Sequence, residues 1–234
     1  MESVIFETNG LLDLRALVMF GVNSKPKSES PIGYFGTGLK YALAVLARME
    51  AQVEIRQGNN SYSLYKETGD FRDKSFDFLF LKGNTTGSLI ELPFTTELGK
   101  NWDIWMAYRE LHSNTLDENG KIYLANKYSL TQDRDITQII VTHNLIRDVF
   151  NNKDTIFLPN AMKGNSGVQI IDAPSKYIYY RGVRVYELEK ESVLTYNILH
   201  NIELTEDRTI KHSFYADWYI KQELQSTASK TILT

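Results

Sequence analysis

Residues 32–48 read IGYFGTGLKYALAVLAR, with Gly33, Gly36 and Gly38 running straight into a helix that carries an apolar face. Backbone N–H groups at such a start converge on one point, and the helix dipole adds to the attraction of a polyphosphate. The stretch is therefore read as a phosphate-binding turn, against the plainer reading that the glycines serve tight packing. It is not a Walker loop, because Gly38 is followed by Leu39 and Lys40,. Immediately upstream, residues 21–31 (GVNSKPKSESP) are polar and hold two prolines, which reads as a surface loop and a natural lid,.

On either side of this box the patterning is that of an α/β protein. Residues 3–7 read as a strand closed by Asn9-Gly10, residues 11–20 as a helix, and residues 35–49 as the helix after the glycines,. Four strands follow near 52–56, 61–65, 76–81 and 88–92, with turns short enough for an antiparallel meander,. A helix is expected over 102–116, ended by Gly120. Strands are expected near 121–124, 137–142, 155–158, 167–171, 177–180 and 183–187. Residues 192–204 fit strand or helix, 214–224 read as helix, and the tail beyond reads as frayed,. The expected architecture is a two-layer α+β sandwich, a mixed and largely antiparallel sheet with helices on one face. Residues 1–150 form the expected core, with a lid box at 21–49 and an acidic helix at 101–119. Residues 151–234 have no assigned role and fit either a separate part or the same domain.

The acidic helix holds a second constellation, RELHSNTLDENG at 109–120. Glu110, Asn114 and Asp117 are spaced four and three apart and share one helical face, while Ile104, Tyr108, Leu111 and Thr115 share another. A solvated helix face would look the same. A carboxylate, however, can orient and deprotonate water, and an amide oxygen is a hard ligand for Mg²⁺ that adds no charge beside phosphates.

Together the two boxes resemble those of the Bergerat-fold ATPases, the group of DNA gyrase, the ninety-kilodalton heat-shock chaperones, mismatch-repair ATPases and sensor histidine kinases. Their order is reversed, so the chain looks like a circular permutant of that fold. The resemblance implies ATP and Mg²⁺ as cofactors, Glu110 as the general base that polarises the attacking water, and Asn114 as the metal ligand. It further implies phosphate contacts from Gly33, Phe35, Gly36, Thr37, Gly38, Leu39 and Lys40, with Lys25 in the Ser/Thr-Lys pair that often precedes this box. Arg109 and Asp117 are expected at the rim. The family's adenine-reading Asp-x-Gly-x-Gly turn is matched only loosely by Glu7, Asn9 and Gly10, with Asp172 and Asp207 as weaker alternatives. Ser88, in TGSLIEL, stands where the family usually has Thr. If one site exists, the Glu110 carboxylate and the Gly38 amide are expected on the order of 10 Å apart, on one face of the sheet.

Composition narrows the field. With 26 Lys and Arg against 29 Asp and Glu, the net charge of -3 provides no basic field, so nucleic-acid binding is unsupported,. Cysteine is absent, which excludes disulfides, thiolate nucleophiles and cysteine-based metal sites,. The four histidines show no metal spacing and no nucleophile triad,. Tyr177, Tyr179 and Tyr180 beside Arg181 and Arg184 fit base stacking, and fit a packed strand better. No apolar run is long enough for a membrane span and no leader is visible, so the expectation is a cytoplasmic protein, in a host cytoplasm if the Asn-, Lys- and Ile-rich composition marks a phage gene. The functional expectation is slow Mg²⁺-dependent ATP hydrolysis driving lid closure, with an unidentified protein partner and a homodimer left open. The alternatives are nucleotide binding without turnover, or an interaction protein on a degenerate ATPase fold.

Overall fold

The computed structural model describes residues 2–19, 37–130, 133–205 and 207–232, with side chains as far as residue 226. The chain divides into two compact units, Met1–Asn151 and Asn152–Thr234. The glycine-rich box before Thr37, including Lys25, Gly33, Phe35 and Gly36, lies outside the described residues.

In the first unit the elements run β1 (Ser3–Asn9), α1 (Arg15–Val18), α2 (Gly38–Arg48), β2 (Gln52–Gln57), β3 (Asn60–Phe71), β4 (Lys74–Gly83) and β5 (Leu89–Thr95). They continue through α3 (Ile104–Asp117), β6 (Lys121–Ala125), β7 (Ile136–Thr142) and α4 (Asn144–Asn151). The seven strands form one sheet in the order β5-β4-β3-β2-β7-β1-β6, antiparallel at every pairing. Turn chemistry sets the meander: Arg72 and Asp73, both at positive φ, make the two-residue turn between β3 and β4,.

Side-chain alternation assigns the faces. Phe6 of β1 meets the Tyr108 ring of α3 at 5.7 Å, and Tyr108 meets Phe150 of α4 at 6.5 Å. The register rows Val4–Val141–Val53 and Phe6–Ile139–Ile55 therefore point to the helices, and Val4, Phe6, Val53, Ile55 and Val141 are buried there. Helix α2 lies against α3 and is buried from Ala42 through Ala47, as its Ala-rich sequence permits,. Its terminal Arg48 clamps the segment leading into α3, donating to the carbonyls of Thr96 at 2.7 Å and Gly99 at 2.9 Å.

The second unit holds β8 (Val168–Ile171), β9 (Ser175–Tyr180), β10 (Val183–Ser192), β11 (Thr195–Ile198) and α5 (Ser213–Ile232). Its sheet order is β10-β9-β11-β8, with β11 and β9 parallel. Val168, Ile178, Ile198, Ala216 and Ile220 form its core. Among the described residues no helix is long and apolar enough to cross a membrane.

The α+β class with largely antiparallel sheets matches the sequence reading, and several elements differ in detail. The helix expected over 11–20 shrinks to α1, because Leu12 is held in an extended loop by a bond from its amide to Thr137 Oγ1 at 2.9 Å. Residues 155–158 are a 3-10 turn at Lys153–Thr155 followed by an isolated bridge from Phe157 to Val183. Helix α4 was not expected at all. The ambiguous 192–204 stretch contains strand β11, and the tail continues as helix to Ile232.

Candidate functional site

The two sequence boxes meet. A Cβ placed on Gly38 would lie 3.0 Å from Cδ and 3.4 Å from Cγ of Glu110, and would overlap Oε2 outright. Only glycine lets the first turn of α2 sit flush on α3 at this point. The separation is thus van der Waals contact rather than the order of 10 Å expected. Because Arg48 at the end of α2 anchors the approach to α3 while Gly38 meets the middle of α3, the two helices run in opposite senses. The last turns of α3, with Ser113, Asn114 and Asp117, extend past Gly38. Gly38 and Glu110 leave no space for another group between them.

Around this contact α3 carries buried polar residues, at 0% exposure for Arg109, 1% for Glu110 and 0% for Ser113. Arg109 Nη2 approaches Glu110 Oε1 at 3.4 Å, and its guanidinium lies 5.2 Å from the Trp105 ring and 5.9 Å from that of Trp102. Trp102 in turn packs on Tyr41 of α2 at 4.8 Å. Arg109 is therefore an internal strut and not the rim residue expected from the sequence. The reason is local: two tryptophans supply apolar and cation–π cover for a guanidinium whose charge is met by the neighbouring carboxylate. Asn114 and Asp117 are half-buried one and two turns beyond Glu110. Their side chains are hard oxygen donors, a set that fits Mg²⁺ alongside phosphate oxygens.

Lys40, two residues into α2, is 2% exposed, and its ammonium donates to the Met19 carbonyl at the end of α1. Burial pushes it below the usual lysine range,. Thr37 precedes the helix without a side-chain cap, and Leu39 is half-buried. On the sheet face turned to the helices, Thr8 of β1 and Ile139 of β7 are half-buried.

Glu7 is not part of this site. Neighbouring Phe6 points to α3, so Glu7 points to the opposite face, in the row Lys121–Glu7–Gln138–Arg56,. There its Oε2 accepts from Tyr123 Oη at 2.6 Å and Gln138 Nε2 at 3.0 Å, with Lys121 Nζ at 3.7 Å from Oε1. Burial alone would raise the Glu7 carboxyl; those bonds and the lysine charge outweigh it and hold it below the usual range. Burial, then the bond to Glu7, pushes the Tyr123 hydroxyl up to about 12. Asn9 is exposed at the end of β1, and Gly10, at φ +85°, donates its amide to Asp135 O at 2.7 Å. Ser88 caps the β4–β5 hairpin through a 2.7 Å bond with Thr86, separated from β1 by β3, β2 and β7 in the sheet order. Thus Gly38, Lys40, Glu110, Asn114 and Asp117 are brought into one neighbourhood, while Glu7 and Ser88 are not.

Sequence reasoning passed over Ser113. A serine inside a helix carries no signature of its own, and the available signal was its spacing of three from Glu110. Among the described residues no cluster of three or more His, Asp or Glu forms a metal site. A separate hollow of about 190 Å³ on the opposite face is bordered by Glu54, Ser63, Lys127 and Ile140. No protein-family model matches the chain, and neither does any curated protein or solved structure.

Proposed function

We propose that the first unit binds ATP with Mg²⁺ at the start of α2 and the last turns of α3, and hydrolyses it slowly as a conformational switch. The observation that supports this reading is the contact between Gly38 and Glu110, two boxes far apart in sequence that fold into one place. In the proposal the α2 start contributes backbone dipoles to the phosphates, and Asn114 contributes a hard oxygen to Mg²⁺. Glu110 accepts the proton of the attacking water. An unidentified protein partner for the switch belongs to the same proposal. Specificity for adenine is without its expected carboxylate, because Glu7 faces the other way.

Nucleotide binding without turnover is the second reading. It is favoured by the burial of Glu110 against Arg109, a pairing that by itself serves structure. Thermal shift with ATP, ADP and GTP in Mg²⁺ tests binding, since ligand at a hundred times its dissociation constant stabilises by about 2.7 kcal/mol. Steady-state turnover separates the two readings. Glu110→Gln is expected to lower it by about a hundredfold or more with ATP affinity retained. No shift with any nucleotide refutes both readings.

A further inference from the structure

The fully buried hydroxyl of Ser113 lies one turn beyond Glu110 and takes no part in the bonding among the described residues. Among the described residues its Oγ has no hydrogen-bond partner, and Ser113 is 0% exposed. Leaving a buried hydroxyl unpaired is unfavourable, and native interiors meet such groups with protein partners or ordered water. Helix α3 offers serine a ready internal solution, the carbonyl four residues earlier. Thr115 takes that solution, donating to Leu111 O at 2.8 Å. Ser113 does not, which leaves its hydroxyl available to a group outside the helix backbone.

Residues three apart on a helix are neighbours, with Cβ atoms about 5–6 Å apart. A single water at about 2.8 Å from each can bridge the Ser113 hydroxyl and the Glu110 carboxylate. We propose that Ser113 is a positioning residue that holds the attacking water against Glu110, an inference that rests on the ATPase reading above. The water has two protons and two lone pairs. Glu110 and Ser113 Oγ each accept one proton in a hydrogen bond, which turns a lone pair toward the γ-phosphorus. As the water oxygen bonds to phosphorus, the bridging P–O bond breaks and its electron pair stays on ADP. The proton facing Glu110 passes to the carboxylate, and Ser113 remains neutral throughout.

Ser113→Ala removes only the hydroxyl, and the fold is expected to keep its thermal midpoint or gain slightly, because an unpaired buried group is lost. At saturating ATP and Mg²⁺, kcat is expected to fall by about tenfold or more with the ATP dissociation constant unchanged. In the Glu110→Gln background the same change is expected to cost nothing further, since both residues act on one water. Wild-type turnover that Glu110→Gln abolishes and Ser113→Ala leaves intact overturns the inference and spares the ATPase reading. An equal fold-loss in both backgrounds, or an effect on affinity alone, also overturns it. A wild-type protein with no ATP turnover overturns the inference together with the hydrolytic reading.

Discussion

Gly38→Ala probes the contact that joins the two helices. The added methyl would sit 3.0 Å from Glu110 Cδ and 3.4 Å from Cγ, so the shaft of the side chain must shift as well as the carboxylate. That shift draws the carboxylate away from Arg109, 3.4 Å away in a buried setting. Overpacking of this kind costs about 1–3 kcal/mol. Against it stands the intrinsic helical gain of alanine over glycine, about 0.5–1 kcal/mol. The expected net is a loss of about 1–2 kcal/mol, or a fall of roughly 2–8 °C in melting temperature for a protein of this size. Removing the obstacle should reverse the sign: in a Glu110→Ala background, Gly38→Ala is expected to stabilise by about 0.5 kcal/mol. Chemical denaturation of the four proteins of the cycle measures the coupling, expected at about 1.5–2.5 kcal/mol. An alanine tolerated with Glu110 in place, or the same effect in both backgrounds, refutes the contact and the site built on it.

Three further outcomes are expected. Asn114→Ala should weaken ATP binding in Mg²⁺ by about tenfold while leaving binding in EDTA unchanged, read by titration calorimetry; equal affinity with Mg²⁺ places the metal elsewhere. Burial depresses Lys40 below its reference of 10.5, so the unfolded chain binds more protons than the native one between the depressed value and 10.5,. Stability should therefore rise with pH through that window, and Lys40→Met should flatten the rise. Glu7 is depressed below 4.5, so its contribution is present above that value and is lost as pH falls through its native pKa,. Tyr123→Phe should cost about 1–2 kcal/mol at neutral pH, move acid unfolding upward, and leave nucleotide binding untouched because the pair lies on the other face of the sheet.

Much of the first unit was legible from local signals. The spacing of Ile104, Tyr108, Leu111 and Thr115 marks one stripe of α3, of which the last three are buried and Ile104 is half-buried. The alanines of α2 and the turn residues between strands likewise announce their elements, because helical period and turn conformation are set by neighbours in sequence. Helix α4 escaped notice since its eight residues, with Ile146 alone buried, carry too short an apolar pattern. Residues 155–158 read as a strand by composition, yet a ladder needs a partner along its length and only Phe157 finds one, in Val183.

The sequence by itself determined that Glu110, Asn114 and Asp117 share a helical side, a consequence of 3.6 residues per turn, while the other helix, read from residue 35, begins at Gly38. That Gly38 and Glu110 touch was decided by the packing of α2 on α3, a long-range event that no local pattern encodes. Burial was decided there too: Arg109 reads as a surface charge until Trp102 and Trp105 close over it. Strand β1 shows the division most plainly. Alternation separates Phe6 from Glu7 on any strand, but which of the two faces the helices depends on where α3 docks. Docking placed Phe6 on Tyr108 and sent the expected base-reading carboxylate to the opposite side,.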